Sequence, residues 1–218
     1  HLSNFGGFAT PERSLAFDIN DFDETFPAPW EWDMKRLVAS IVVAARYLDL
    51  GDDTARSAVR KCVRSYREHI DEYAECSTLE TWYARITIDD IVESVKGDKE
   101  LIARLSKKKE EAGSRTSESV FPKLTKVVDG TPRIIDDPPL IYHFQDQVKD
   151  LDKLRAEIIT SYRASLISDR RVLFDRYQTV DSAIKVVGVG SVGTRCFVTL
   201  LLADNDDPLF LQIKEARR

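Results

Sequence analysis

Between Val186 and Thr194 the chain reads Val-Val-Gly-Val-Gly-Ser-Val-Gly-Thr, and the residues after it decide what this run can belong to. Glycines spaced as Gly188, Gly190 and Gly193 let a backbone come close to phosphate oxygens and present N–H groups to them. Two architectures use the spacing. In a dinucleotide-binding βαβ unit a helix follows the glycines and an acidic residue stands roughly 20 positions on; here Asp204 lies 16 positions after Gly188. In the other, the glycines join two antiparallel strands. Thr194, Cys196, Phe197, Val198 and Thr199 are strand formers. The turn Asp204-Asn205-Asp206-Asp207-Pro208 suits a hairpin and is too short for a parallel crossover. Leu211-Gln212-Ile213-Lys214 then delivers a lysine at the end of a third strand, within reach of a phosphate. The second architecture is favoured: a three-stranded antiparallel sheet over 183–188, 194–203 and 209–214, with Gly188, Gly190, Ser191, Gly193 and Lys214 around the phosphates.

A second cluster opens the chain. His1-Leu2-Ser3-Asn4-Phe5-Gly6 precedes Leu15-Ala16-Phe17-Asp18-Ile19-Asn20-Asp21-Phe22-Asp23-Glu24. A hydrophobic strand that delivers a carboxylate at its end, with a carboxamide 14 to 17 residues earlier, suits a magnesium–nucleotide site. Mg²⁺ is a hard ion that takes oxygen ligands and bridges phosphates. Asn4 with Asp21, or with Asp18, is therefore a candidate metal set. A calcium loop started from Asp18 fails, because it would place Phe22 at a ligand position and Asp23 where glycine is needed.

The stretch between the clusters reads mostly as helix. Around one short strand at 14–19 the first thirty residues are Gly-, Pro-, Phe- and Asp-rich loops. Met34, Leu37, Val38, Ile41, Ala44, Ala45 and Leu48 then recur at helical spacing up to a stop at Gly51. Ala55, Ala58, Val59, Cys62, Val63, Tyr66, Ile70 and Tyr73 form one stripe of a second helix, with Asp52 or Asp53 capping its first turn. Ser77-x-x-Glu80 is a capping box opening a third helix. Residues 97–115 form a charged, solvated helix and loop. Residues 121–144 are Pro-punctuated and β-branched, a hairpin or irregular insert, and a last long helix runs from Val148 towards Tyr177.

Charge and cysteines narrow the function. A net charge of −5 with intermixed signs argues against a nucleic-acid partner, which would need a basic face. Three scattered cysteines suit reduced thiols in the cytoplasm better than disulfides or zinc. No apolar run approaches a membrane span. The chain begins on His1, has Met34 as its one methionine and stops at Arg218 in mid-pattern, so a piece of a longer polypeptide is expected.

Taken together, His1-Leu-Ser-Asn4-Phe-Gly, Asn20-Asp21-Phe22-Asp23-Glu24, Trp32-Asp33-Met-Lys-Arg36-Leu and Val187-Gly-Val-Gly-Ser-Val-Gly193 resemble an uncharacterised bacterial family, domain of unknown function 2252. That family is related to the protein-kinase-like and aminoglycoside-phosphotransferase superfamily, and the resemblance spans the chain. It implies that Asn4 is the metal-holding asparagine of a catalytic loop whose aspartate would precede His1. It implies that Asp21-Phe22-Asp23 is the D-F-G element, with Asp23 in place of glycine, and that Asp33 braces the catalytic loop by accepting backbone hydrogen bonds. The glycines and Lys214 would take the roles of the kinase Gly-rich loop and its following lysine. Kinases place the glycine loop first; here Asn4 and Asp21 come first, so the order is circularly permuted.

The expectation is an α+β, kinase-like fold: a mostly helical lobe over 1–180 and part of a small antiparallel β lobe over 181–218. The expected function is ATP- and Mg²⁺-dependent phosphoryl transfer to an acceptor that the sequence does not name, a small molecule by analogy with the antibiotic kinases. The alternatives are a pseudokinase-like nucleotide-binding module and a Rossmann-type dinucleotide binder, which predicts helix at 194–203. Without the upstream aspartate and the glutamate partner of Lys214, the piece alone is expected to be inactive.

Overall fold

The structure, a computed structural model, describes residues 1–20, 22, 25–114, 116–143, 151–188 and 193–215. The chain forms two compact units, His1–Gly113 and Ser114–Arg217.

The first unit opens with a 3-10 turn, Leu2–Asn4, followed by strands β1 (Phe5–Ala9) and β2 (Leu15–Ile19). They pair antiparallel, Phe5 opposite Ile19 and Gly6 opposite Asp18. The expected strand is β2; β1 falls in a stretch expected to be loop, because Gly6 and Gly7 are poor strand formers, and pairing with β2 overrides that preference. β3 (Ile86–Thr87) adds to β2 through Ala16 and Phe17.

Helices α1 (Glu31–Tyr47) and α2 (Asp52–Glu75) follow their apolar stripes. The stop after α1 is not Gly51. Asp49 takes a left-handed φ of 53°, and the N–H groups of Asp49 and Leu50 bond the carbonyls of Arg46 and Ala45 at 3.1 and 3.0 Å. This is a Schellman closure with aspartate where glycine is usual. Gly51 is instead the residue before α2, and Asp52 and Asp53 lie within its first turn with no side-chain cap, so they act through the helix dipole. The capping box is present: Ser77 accepts the Glu80 N–H and the Glu80 carboxylate accepts that of Ser77 at 2.8 Å, opening α3 (Thr78–Tyr83). A second box, Thr87 with Asp90, opens α4 (Ile88–Ser94) directly from β3. The charged stretch forms α5 (Lys99–Gly113), bound to α4 by Lys109 and Asp89 at 2.6 Å.

In the second unit, α6 (Ser117–Leu124) leads into β4 (Thr125–Val128) and β5 (Thr131–Ile134). Their turn holds Asp129 and Gly130 at φ of 50° and 78°, the paired positive angles a two-residue hairpin requires. The expected long helix is two, α7 (Leu151–Ser165) and α8 (Ser168–Phe174). The Arg171 guanidinium bonds the Ala164 and Leu166 carbonyls at 3.3 and 2.9 Å, satisfying groups that a continuous helix would have paired.

Three antiparallel strands form, β7 (Gln178–Lys185), β8 (Cys196–Leu202) and β9 (Pro208–Lys214); the second and third fall where expected, whereas β7 starts at 178 and ends at 185 instead of running over 183–188. A fourth, β6 (Ile141–Tyr142), joins the far side of β7. Cys196 to Leu201 are all buried, so β8 is covered on both faces. Ile134, Ile141, Ala183, Val198 and Leu200 make the core, with Phe121, Leu124 and Phe210 packed on it. Compactness thus divides the chain at 113/114, whereas the two expected lobes meet at 180/181. Residues 114–180 include β4, β5, β6 and α6, which cover the sheet and give it the apolar partner that three strands alone lack.

Candidate functional site

In the first unit Asn4 and Asp18 lie at the open end of the β1–β2 hairpin. The 3-10 turn is held by the Asn4 N–H on the His1 carbonyl at 2.9 Å and by the Ser3 N–H on the His1 ring Nδ1 at 3.1 Å. The Asn20 N–H donates to the Asn4 carbonyl at 2.9 Å, so the chain leaving β2 is fastened beside Asn4. The Asn20 side-chain amide lies over Gly6, where a Cβ would meet Nδ2 at 2.4 Å. The glycine is thus the space that the Asn20 carboxamide fills.

The Asn4 side-chain oxygen is buried and, among the described residues, has no hydrogen-bond partner. A buried oxygen acceptor left unsatisfied is costly. A hard cation takes carboxamide oxygen, so this donor fits Mg²⁺. Asp18 is exposed and turns its Oδ1 onto the next backbone N–H, that of Ile19, at 2.7 Å. Asp21 lies outside the described residues. Among the described residues no three His, Cys, Asp or Glu side chains gather into a metal cluster.

Asp33 stands in the first turn of α1, exposed. Among the described residues its carboxylate accepts no backbone bond from the turn that holds Asn4. In that turn the Leu2 N–H donates to Ser40 Oγ at 3.0 Å, and Ser40 Oγ donates to the Leu37 carbonyl at 2.7 Å. Ser40 is two helical turns from Asp33 on the same face, and no local pattern marks it.

In the second unit the glycine-rich loop joins β7 to β8. Gly188 and Gly193 hold φ of 57° and 83°, the left-handed region where a side chain is strained. Gly190 and Ser191 lie outside the described residues. Both stems of the loop are pinned. The Val186 N–H bonds the Leu140 carbonyl at 2.8 Å. On the other side the Glu215 N–H bonds the Arg195 carbonyl at 2.8 Å and the Arg195 N–H bonds the Glu215 carboxylate at 2.9 Å. Lys214 ends β9 directly opposite Cys196, the first residue of β8, and is exposed. It therefore stands at the mouth of the loop. Gln212, on the same face of β9, donates its amide to Cys196 Sγ at 3.2 Å, which is why that buried thiol is packed rather than presented. Asp204, the acid a dinucleotide fold would need, starts a 3-10 turn between β8 and β9. Strand β8 stands where such a fold requires a helix after its glycines.

These features define an α+β chain with a helical first unit and an antiparallel sheet that carries a glycine-rich loop and a strand-end lysine. The chain belongs to the family described as uncharacterised protein conserved in bacteria (DUF2252), whose profile matches residues 1–218. No curated protein and no solved structure matches it. Among the described residues no helix is long and apolar enough to cross a membrane.

Proposed function

We propose that this chain carries the nucleotide-binding residues of an ATP- and Mg²⁺-dependent phosphotransferase of protein-kinase-like type, with permuted chain order. The support comes chiefly from one relationship: antiparallel β7, β8 and β9 set Lys214 across from Cys196, at the mouth of a loop in which Gly188 and Gly193 hold left-handed backbone. In this reading the loop N–H groups and the Ser191 hydroxyl meet the ATP phosphates, and Lys214 supplies charge to the α/β pair. Asn4 and Asp21 hold Mg²⁺, with Asp18 the competing carboxylate; the bound ion neutralises phosphate charge. The orphaned Asn4 oxygen is the observation that favours a cation there. The analogy with the antibiotic kinases suggests a small-molecule acceptor.

The test is ATP affinity of the full protein with and without Mg²⁺, for wild type, Lys214→Ala and Asp21→Ala. Loss of about tenfold or more in each variant is expected, since each removes a charge-assisted contact. Unchanged affinity in both removes the reading. Affinity that falls in the variants, with no phosphoryl transfer by wild type to any acceptor offered, identifies a nucleotide-binding regulatory module instead.

A further inference from the structure

Asp136 and His143, in and just past the connection from β5 to β6, form with Asp181 of β7 a set of three ionisable groups that the nucleotide reading does not use. Around Pro138 and Pro139 it closes a tight turn: the Asp137 N–H bonds the Ile141 carbonyl at 2.7 Å, and the Ile141 N–H returns to Asp137 at 3.0 Å. The turn sets Asp136 beside His143. The His143 backbone N–H donates to Asp136 Oδ1 at 2.7 Å, and ring Nδ1 lies 2.8 Å from the same oxygen. The other ring nitrogen, Nε2, lies 3.1 Å from Asp181 Oδ2. Asp181 sits where β7 slips register against β8, between Thr179 and Asp181, and is 8% exposed. A bulge of this kind re-aims a side chain. Its carboxylate also accepts the N–H groups of Ile134 at 2.8 Å and Ser182 at 2.9 Å.

Both nitrogens of one imidazole thus face carboxylate oxygens. A neutral ring has one N–H to give and an imidazolium has two. With the ring neutral, one lone pair faces an ionised oxygen across a hydrogen-bond distance. We propose that Asp136, His143 and Asp181 form a protonation-operated latch: the doubly protonated ring fastens the 136–143 strap to β7, and the singly protonated ring releases it.

The strap is joined to the loop stem. Ile141 and Tyr142 pair with Lys185 and Ile184, and the Leu140 carbonyl takes the Val186 N–H. Release therefore loosens the incoming stem of the glycine-rich loop. On the phosphate-binding reading this regulates that loop, while the latch itself is read out without any nucleotide. Among the described residues the other charges nearby include Asp137 of the same turn, Lys126 of β4, which acts on Asp136, Lys185 opposite Ile141, and Arg155 of α7, which bonds the Ser182 carbonyl at 3.2 Å. Lys and Arg keep their charge through the range in which a histidine ring titrates. On the acid side, the hydrogen bond from His143 holds the Asp136 carboxyl below its ordinary range. Its contribution is present above that range and is lost as pH falls through the lowered value.

The test combines ring-proton NMR of His143 with amide-exchange protection of Ile134 and Val186, corrected for intrinsic exchange, across the ring titration. In wild type, protection is expected to fall about tenfold as the ring loses its second proton, the weight of one charge-assisted hydrogen bond. In His143→Gln it should show no such step. If that variant does not fold, Asp136→Asn serves: one anionic acceptor is gone, a singly protonated ring is satisfied, and the step should vanish. Wild-type protection that stays level through the ring titration, or a step of wild-type size in either variant, overturns the latch. ATP affinity plays no part in this readout, so failure of the nucleotide reading leaves it intact.

Discussion

Lys214 stands directly across the β8–β9 ladder from Cys196, so the last residue of one strand and the first of its neighbour share the mouth of the glycine-rich loop. The next residue, Glu215, closes the same junction through Arg195. A cation at a strand end is solvated as a rule. Here it stands beside a loop with both stems fastened, which makes the loop's backbone the next thing to test.

Gly188 holds φ of 57° with nothing within 4 Å of the position a Cβ would take. Any cost of substitution is therefore backbone strain alone. Gly188→Ala should destabilise by about 1 kcal/mol, and Gly188→Asn by less, because asparagine tolerates the left-handed region. Denaturant midpoints of the two variants check this; equal losses would point to packing instead.

Gly6 and Asn20 should behave as a coupled pair. A Cβ at Gly6 meets the end of the Asn20 side chain, which can swing aside. Gly6→Ala should then cost no more than about 1–2 kcal/mol in an otherwise natural chain, and clearly less in an Asn20→Ala background. A double-mutant cycle measures the coupling. Additive effects would show that the carboxamide does not fill that space.

Leu200 is fully buried on a strand covered on both faces. Leu200→Ala should destabilise by about 2–5 kcal/mol, the range for a large-to-small change at a site that cannot collapse. Exposed Leu79, on α3, provides the contrast: Leu79→Ala should cost within about 0.5 kcal/mol. Equilibrium unfolding of both variants compares them directly.

Arg163 of α7 clasps Asp175 just after α8 with two bonds, at 2.5 and 2.6 Å. The hydrogen bond from Arg163 holds the Asp175 carboxyl below its ordinary value. A depressed carboxyl contributes stability above its unfolded-state value and loses it as pH falls through the folded-state value. The difference in melting temperature between wild type and Asp175→Asn should therefore be largest near neutral pH and should close as the solution is acidified. Both groups are exposed, so the difference is small and shrinks with salt. A gap that persists in acid would mean that the pair acts through packing.

Much of this molecule was legible in local pattern. The apolar stripe of α2, the Ser77–Glu80 box and the strand-rich run from Cys196 to Lys214 each declare their element within a few residues, because helix period, cap chemistry and β-branching act over that range. The candidate residues Gly188, Gly193 and Lys214 were found the same way, and their placement at one loop follows from short antiparallel connections.

What the tertiary structure alone decided involves partners far apart in the chain. β1 is a strand because β2 lies beside it, despite two glycines. Ser40 receives the Leu2 N–H across 38 residues, and His143 meets Asp181 across another 38. The break between α7 and α8 is sealed by Arg171, whose sequence neighbours give no stop signal. A residue's own propensity is a fraction of a kcal/mol, whereas satisfying a buried N–H or carboxylate is worth several times that, and only the folded chain determines which distant group does so.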